Sequence, residues 1–373
     1  MNFPRRKILC VVGTRPEVVK VAPVVRALRA RPDHFEVVLM TTGQHRHLVG
    51  PMLEAFGLRA DVDLAIMQER QSLSDITCRA LALLHPYLET QRPDVVLAQG
   101  DTTSVLATAL ACFHTRTAFA HLEAGLRTGD LAAPYPEEFN RRVAALAASF
   151  HFAPTAWAAA NLAREGVPAA SIHITGNTVI DALHHVLATT TAPPSPLPAG
   201  ARYVLVTCHR REIFGEPLRE VLGALRDFAI RHPDLHLWYP VHPNPEVQGP
   251  ARELLGGQPN VRLSAPLDYV AFVHAMQGAW LLVTDSGGVQ EEAPALGKPV
   301  LVLRDVTDRP EGVEAGTCRL VGPHRDRLLP ALEELLNDPA AYRRMATARN
   351  PYGDGQAAGR IADLLQAAAP PAR

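Results

Sequence analysis

Short apolar runs rich in β-branched residues alternate with amphipathic stretches along nearly the whole chain, and most runs stop at a small cluster of glycine and polar residues. This is the pattern of parallel strands joined by crossover helices: a parallel pair needs a long connection, and its strands are covered on both faces. In the first half the runs predict strands at 7–12, 35–41, 94–98, 117–121, 150–152 and 172–174, with helices such as 17–30, 72–91, 104–114, 137–149 and 156–165 between them. A second set of strands follows at 202–207, 235–241, 260–264, 279–284 and 299–303, with helices near 216–231, 268–276, 287–296 and 326–336. The Pro-rich stretch TTTAPPSPLPAG, residues 189–200, reads as the linker between the halves. A chain of 373 residues exceeds one ordinary core. The expected fold class is therefore α/β, with two Rossmann-like doubly wound domains facing a cleft.

In such sheets ligands sit outside the carboxyl ends of the strands, so the residues after each strand are where chemistry is expected. The first strand runs into VVGTRPEVVK, a turn into a helix of the kind that often holds a phosphate. It is neither G-x-G-x-x-G nor a Walker loop, and it offers Arg15 and Lys20 instead of bare glycine backbone. Of the 37 basic residues only Lys7, Lys20 and Lys298 are lysines, which lifts Lys20 above a generic surface cation. VVLA ends in QGDTTS with Asp101, AFAH ends in LEAGLRTGD with Glu123, and APYPEEFNRR opens a helix with Glu137 and Glu138. Taken singly, Asp101 would be a helix cap and Glu137 a complement to a helix dipole. Three carboxylates and two cations on one rim point instead to proton transfer and charge stabilisation.

The second half ends its strands in a different chemistry. YVLVT leads to Cys208-His209-Arg210-Arg211-Glu212, and HLWYPV leads to His242-Pro243-Asn244. LLVTD leads to Ser286-Gly287-Gly288 and a helix carrying Glu292. A Ser-Gly-Gly turn into a helix leaves main-chain N–H groups open to a diphosphate, and Glu292 is placed to accept from ribose hydroxyls. His209 and His242 read as phosphate contacts rather than metal ligands, because no spacing supports a metal site. Together the halves describe a holder for a nucleoside diphosphate and, across the cleft, a set of groups for its sugar.

Composition removes other classes. A net charge of −1 provides no large basic surface for nucleic acid or anionic membrane. No apolar stretch approaches the length of a membrane span, and MNFPRRKILCVVG lacks the shape of a signal peptide. The five cysteines are scattered and odd in number, as expected for reduced thiols in a cytoplasmic protein without zinc.

The motifs GTRPE-x-x-K, QGDTTS, HLEAGLRTGD, PEE-x-NR, GNTVID, HRRE, VHPNP, TDSGG-x-QEEAP and RPEG, in this order, resemble those of the bacterial non-hydrolysing UDP-N-acetylglucosamine 2-epimerases. The resemblance runs from about Lys7 to Leu365. It implies a GT-B-like fold, with an N-terminal domain over 1–184, a UDP-binding domain over 185–350 and a C-terminal helix in 351–373 returning to the first domain. It also implies a cytoplasmic homodimer that makes UDP-ManNAc from UDP-GlcNAc for surface polysaccharide, with no cofactor. By the same resemblance Asp101, Glu123 and Glu137 transfer protons and stabilise charge, with Arg15, Lys20 and His209 as the matching cations. Arg15, His209, His242, Ser286, Gly287, Gly288 and Glu292 hold UDP. Gln44, His45 and Arg70 resemble an activating second site for UDP-GlcNAc, although His47 stands where glutamine is expected. Ile213 stands where the family has asparagine after HRRE. A hydrolysing relative that releases ManNAc and UDP, or a 2-epimerase of another UDP-2-acetamido sugar, is the alternative.

Overall fold

The run RKILCVV becomes a strand buried along its last five residues, β1 (Arg6–Val12), because helices cover both faces of its sheet. In the computed structural model, which describes residues 5–43, 46–68 and 70–368, six further strands share that sheet. They are β2 (Phe35–Thr41), β3 (Val62–Asp63), β4 (Val95–Gln99), β5 (Ala118–Leu122), β6 (Phe150–Ala153) and β7 (Ile172–Ile174). The order is β3-β2-β1-β4-β5-β6-β7, with every pairing parallel. Their helices are α1 (Arg15–Arg29), α2 (Arg46–Ala55), α3 (Leu73–Gln91), α4 (Thr103–Thr115), α5 (Glu137–Ala147), α6 (Ala156–Arg164) and α7 (Thr178–Thr189).

The second sheet contains β8 (Tyr203–Thr207), β9 (His236–Pro240), β10 (Val261–Ser264), β11 (Leu281–Thr284), β12 (Val300–Val302) and β13 (Cys318–Leu320), in the order β10-β9-β8-β11-β12-β13, again all parallel. Around it lie α8 (Glu216–Arg231), α9 (Pro245–Leu255), α10 (Tyr269–Gly278), α11 (Gly287–Glu292), α12 (Pro310–Glu314), α13 (Arg325–Asn337) and α14 (Pro339–Ala346). The last helix is α15 (Ala357–Ala367). In each sheet the strand order reverses beside the first strand, between β1 and β4 and between β8 and β11. These are the topological switch points, where the loops part and a ligand can enter.

The chain divides into Met1–His185 with Tyr352–Arg373, and Val186–Pro351. α15 thus returns to the first unit, where it packs on α1. Asp181 of α7 accepts from the Ala357 and Ala358 N–H groups at 3.2 and 2.9 Å, and Asn177 N–H donates to the Tyr352 carbonyl at 2.6 Å. Arg6 closes the far end of α15 by donating to the Leu365 and Ala368 carbonyls.

Three local readings change. Residues 190–200 of the Pro-rich stretch lie within the second unit, where Thr190 Oγ1 meets His274 Nε2 at 2.9 Å. There they border a cavity of about 290 Å³ with Tyr203 and Trp238. The helix expected at 287–296 is α11 followed by a 3₁₀ turn over Ala293–Leu296. Pro294 has no N–H for the Gln290 carbonyl, and the Cys318 thiol approaches that carbonyl at 3.8 Å instead. Finally β3 and β13, of two and three residues, were too short to show a period in the sequence. Among the described residues no helix is long and apolar enough to cross a membrane.

Candidate functional site

At the first switch point the backbone itself is under tight constraint. A Cβ on Gly13 would lie 2.4 Å from Ser104 Oγ and 2.7 Å from Thr42 Oγ1, so only glycine lets the loop after β1 pass this close to α4. Glu17 turns back from the first turn of α1 and is 2% exposed. Its Oε2 accepts from Gly13 N–H and from Thr14 N–H, the latter at 2.8 Å, and its Oε1 accepts from the Thr102 hydroxyl. Burial pushes its carboxyl up to about 7, against the pull of those donors.

One turn further along α1, Lys20 is buried and donates to Glu123 Oε1. Glu123 follows β5 with φ of +60°, a left-handed backbone that a residue with a Cβ adopts at a cost of order 1–3 kcal/mol. Lys20, the Gln99 amide and Asn177 Nδ2 (3.0 Å) hold its carboxylate in place. Beyond β4, Gly100 also takes a positive φ, +83°, and Asp101 follows it. Arg141 Nη2 pairs with Asp101 Oδ2 at 3.0 Å, and Asn140 Nδ2 donates to the Asp101 carbonyl at 2.8 Å. Burial pushes the Asp101 carboxyl up to about 6. Arg141 pulls it down, the neighbouring Glu123 and Glu137 charges push it further up, and Lys20 opposes them. Glu137 opens α5 half-buried, and Arg15 opens α1 exposed, with no ion-pair partner among the described residues.

The structure therefore brings Lys20, Asp101, Glu123 and Glu137 into one electrostatic group. Sequence reasoning left out its supports: Glu17, Gln99, Arg141, Asn177 and His121. The last is fully buried, with Nε2 2.7 Å from the Gly100 carbonyl. Burial holds its pKa down to about 4, so it is a neutral brace for the Gly100 turn. All of these stand inside the quoted motifs, which was the available signal.

At the second switch point, the turn after β8 carries His209, whose ring stacks on His242 with centroids 5.8 Å apart and planes at 22°. Asp285, after β11, meets this turn from the neighbouring strand. Ser286 is the N-cap of α11, and a Cβ on Gly287 would lie 2.6 Å from Arg309 Nη1. Arg309 is held there by Glu291 and Asp308, each at 2.7 Å, so Gly287 leaves room for a fixed guanidinium over the start of α11. A Cβ on Gly288 would make only ordinary contacts, 3.6 Å to Glu292 Oε2 and 3.9 Å to Ser286 Oγ. An ordinary helix glutamate would be exposed, but Glu292 is 6% exposed and its Oε1 accepts from the Tyr269 hydroxyl at 2.7 Å. Burial, then the Glu292 charge, pushes the Tyr269 phenol well above its usual range.

Gln44 and His45 lie outside the described residues, and Arg70 is exposed with φ of +55°. Ile213 is 3% exposed in the apolar core of its unit, so here that position serves packing instead of an amide contact. Among the described residues no group of three His, Cys, Asp or Glu side chains is arranged to hold a metal ion.

Comparison with known proteins matches this arrangement to one family. The family model described as UDP-N-acetylglucosamine 2-epimerase matches residues 26–366. The chain is 49% identical over 370 residues to the UDP-N-acetylglucosamine 2-epimerase of Escherichia coli (strain K12), covering 96% of this chain and 98% of that one. It is 44% identical over 360 residues to the Bacillus subtilis (strain 168) enzyme of the same name, covering 96% and 94%. The crystal structure of UDP-GlcNAc 2-epimerase from Neisseria meningitidis bound to UDP-GlcNAc superposes with a TM-score of 0.88 at 40% identity, covering 96% of this chain and 99% of that one.

Proposed function

This chain belongs to the UDP-N-acetylglucosamine 2-epimerase family, and from that premise we propose that it interconverts UDP-GlcNAc and UDP-ManNAc without net hydrolysis. A carboxylate of the first unit removes the proton at C2 of the sugar as the C1–O bond to UDP breaks, giving bound 2-acetamidoglucal and UDP. UDP then adds back through the same oxygen as C2 is protonated from the opposite face. One proton leaves C2 and one arrives, so no redox cofactor is required.

The observation that carries this reading is the group of Asp101, Glu123 and Glu137 around Lys20 and Arg141. Exchange on two faces of one carbon requires at least one group to give a proton and one to take it near neutral pH. A carboxyl pushed up to about 6 beside one tied to a lysine is a pair with separated roles. Arg15, Lys20 and His209 are assigned as the cations that stabilise the departing diphosphate. His242, Ser286, Gly287, Gly288 and Glu292 are assigned to UDP binding, in agreement with Gly287 and Gly288 opening α11, whose first-turn N–H groups have no partner within the helix, and with the buried Glu292 carboxylate. The proposed setting is the cytoplasm, with UDP-ManNAc supplied to surface polysaccharide.

Proton and carbon NMR of the protein with UDP-GlcNAc in D₂O tests the reaction. The expected result is UDP-ManNAc deuterated at C2 beside UDP-GlcNAc that has also gained deuterium there. Free ManNAc with stoichiometric UDP would replace this reading by the hydrolysing one, and no reaction with UDP still bound would point to another UDP-2-acetamido sugar.

The protein is also proposed to be a homodimer. α3, α4 and α5 pack side by side, and Leu83, Phe113 and Leu146 stand 43, 69 and 86% exposed on them. Apolar side chains gathered on adjacent helices mark a contact surface. Sedimentation equilibrium should return twice the 40.4 kDa chain mass, and Phe113→Glu should shift the population toward monomer. A wild-type monomer at micromolar concentration would rule the dimer out.

A further inference from the structure

We propose that Asp285 is the positioning residue for His209: its carboxylate fixes the turn after β8 and holds the imidazole with Nδ1 inward, leaving Nε2 as the nitrogen offered to the ligand. What Nε2 touches rests on the UDP-sugar reading above, whereas the clamp itself does not.

The argument begins with a buried charge. Asp285 is 0% exposed, and a carboxylate removed from water must be met by donors. Oδ2 accepts from the main-chain N–H groups of His209 and Arg210 at 2.6 and 2.7 Å. The Asp285 carbonyl accepts from Arg210 Nε at 3.1 Å, so side chain and backbone grip the same turn. Oδ1 lies 3.1 Å from His209 Nδ1, in a contact bent away from a straight hydrogen bond. The other group on this carboxylate is the buried Cys208 thiol, a weak donor that burial and the Asp285 charge keep neutral. Burial alone would raise the Asp285 carboxyl, but His209 and the two amides outweigh it and hold it below the usual range. Asp285 is therefore a charged acceptor, and the ring nitrogen facing it must carry hydrogen.

That requirement fixes the tautomer. With Nδ1–H committed to Asp285, a neutral His209 keeps its lone pair on Nε2, and a charged His209 presents Nε2–H; in both states the same nitrogen faces outward. Nε2 has no hydrogen-bond partner among the described residues, and the side chain is 43% exposed. Stacking on His242 limits rotation of the ring from its other side.

Asp285→Asn separates orientation from simple bracing. The amide oxygen can keep both main-chain N–H groups, which preserves the turn, while the amide nitrogen now donates toward Nδ1 and drives the ring hydrogen to Nε2. The readout is long-range proton–nitrogen NMR of the full chain labelled with ¹⁵N-histidine, with the His209 signal assigned by its loss in His209→Gln. Wild type is expected to carry hydrogen on Nδ1 whether or not the ring is charged, and neutral Asp285→Asn to carry it on Nε2. Turnover of UDP-GlcNAc should fall roughly 100-fold in Asp285→Asn with KM changed much less. Asp285→Asn/His209→Gln should be no slower than His209→Gln alone, because Asp285 acts through that ring.

A neutral wild-type ring with hydrogen on Nε2 alone would overturn the proposal, and this measurement stands even if Asp285→Asn fails to fold. An unchanged tautomer and turnover in a folded Asp285→Asn would also overturn it. If wild type leaves UDP-GlcNAc untouched, the functional reading falls, while the tautomer still decides the clamp.

Discussion

Glu123→Gln is expected to lower turnover by a factor of roughly 100 or more while leaving UDP affinity nearly unchanged, and Asp101→Asn is expected to behave alike. Both changes keep the shape of the side chain and remove its capacity to exchange a proton. In Glu123→Gln the residue remains at the end of β5, with Gln99, Asn177 and Lys20 around it, so the left-handed turn stays supported. In Asp101→Asn the Asn140 contact to the main chain is untouched, and Arg141 still meets an amide oxygen. Most groups assigned to UDP lie in the second unit, and Arg15 of the first pairs with neither residue, so UDP affinity reports mainly on groups that neither change touches. Single-turnover rates with UDP-GlcNAc and calorimetric titration with UDP make the comparison. Near-normal turnover in either variant would remove that residue from the proton-transfer set.

The stability of the first unit should fall as pH rises from about 4 to 8, and Glu17→Gln should remove a large part of that fall. Folding raises two carboxyls, the buried Glu17 to about 7 from an ordinary 4.5 and the half-buried Asp101 to about 6 from 3.8. Both hold their protons more tightly folded than unfolded. Their favourable contribution is complete below about pH 4 and is lost as pH climbs through 6 and 7. Each pKa unit is worth about 1.4 kcal/mol, so ionising Glu17 costs the fold on the order of 3 kcal/mol at pH 8. A glutamine keeps an acceptor for the Gly13 and Thr14 amides without the charge. Its denaturation midpoint should therefore exceed that of wild type at pH 8, with the two converging near pH 5. Equal midpoints at both pH values would show that Glu17 is not held ionised at a cost. A more stable Glu17→Gln with impaired turnover would fit a site that gives up stability for chemistry.

What the sequence revealed of this site was set by chain geometry. Residues that directly follow a buried parallel strand stay at the carboxyl edge of the sheet whatever the helices do, so Asp101, Glu123 and His209 could be placed from their positions alone. Lys20 was legible because it stands one turn beyond Glu17 in a helix that begins at the same edge. Glu17 itself was not, because its partner Thr102 is 85 residues away and only the pairing of β1 with β4 brings them together. Arg141 and Asn177 belong to the same class, as they reach Asp101 and Glu123 from elements distant in sequence. Ile213 carries the opposite lesson: its motif invites a polar role, yet its side chain turns into the core. The shortest edge strands lack the length for any periodicity to register.

The return of α15 to the first unit sets the order in which this protein can be completed on the ribosome. Everything the second unit contains, residues 186–351, has been synthesised before Tyr352 emerges. The unit that starts first is thus completed after the second: α1, which carries Glu17 and Lys20, gains its packing partner α15 only once residues 357–367 have been made. Domains generally fold as units while the chain is being made. During that interval the nascent first unit holds buried Glu17 and buried Lys20 on a helix with one flank uncovered, so it is the part of the molecule that stays incomplete longest.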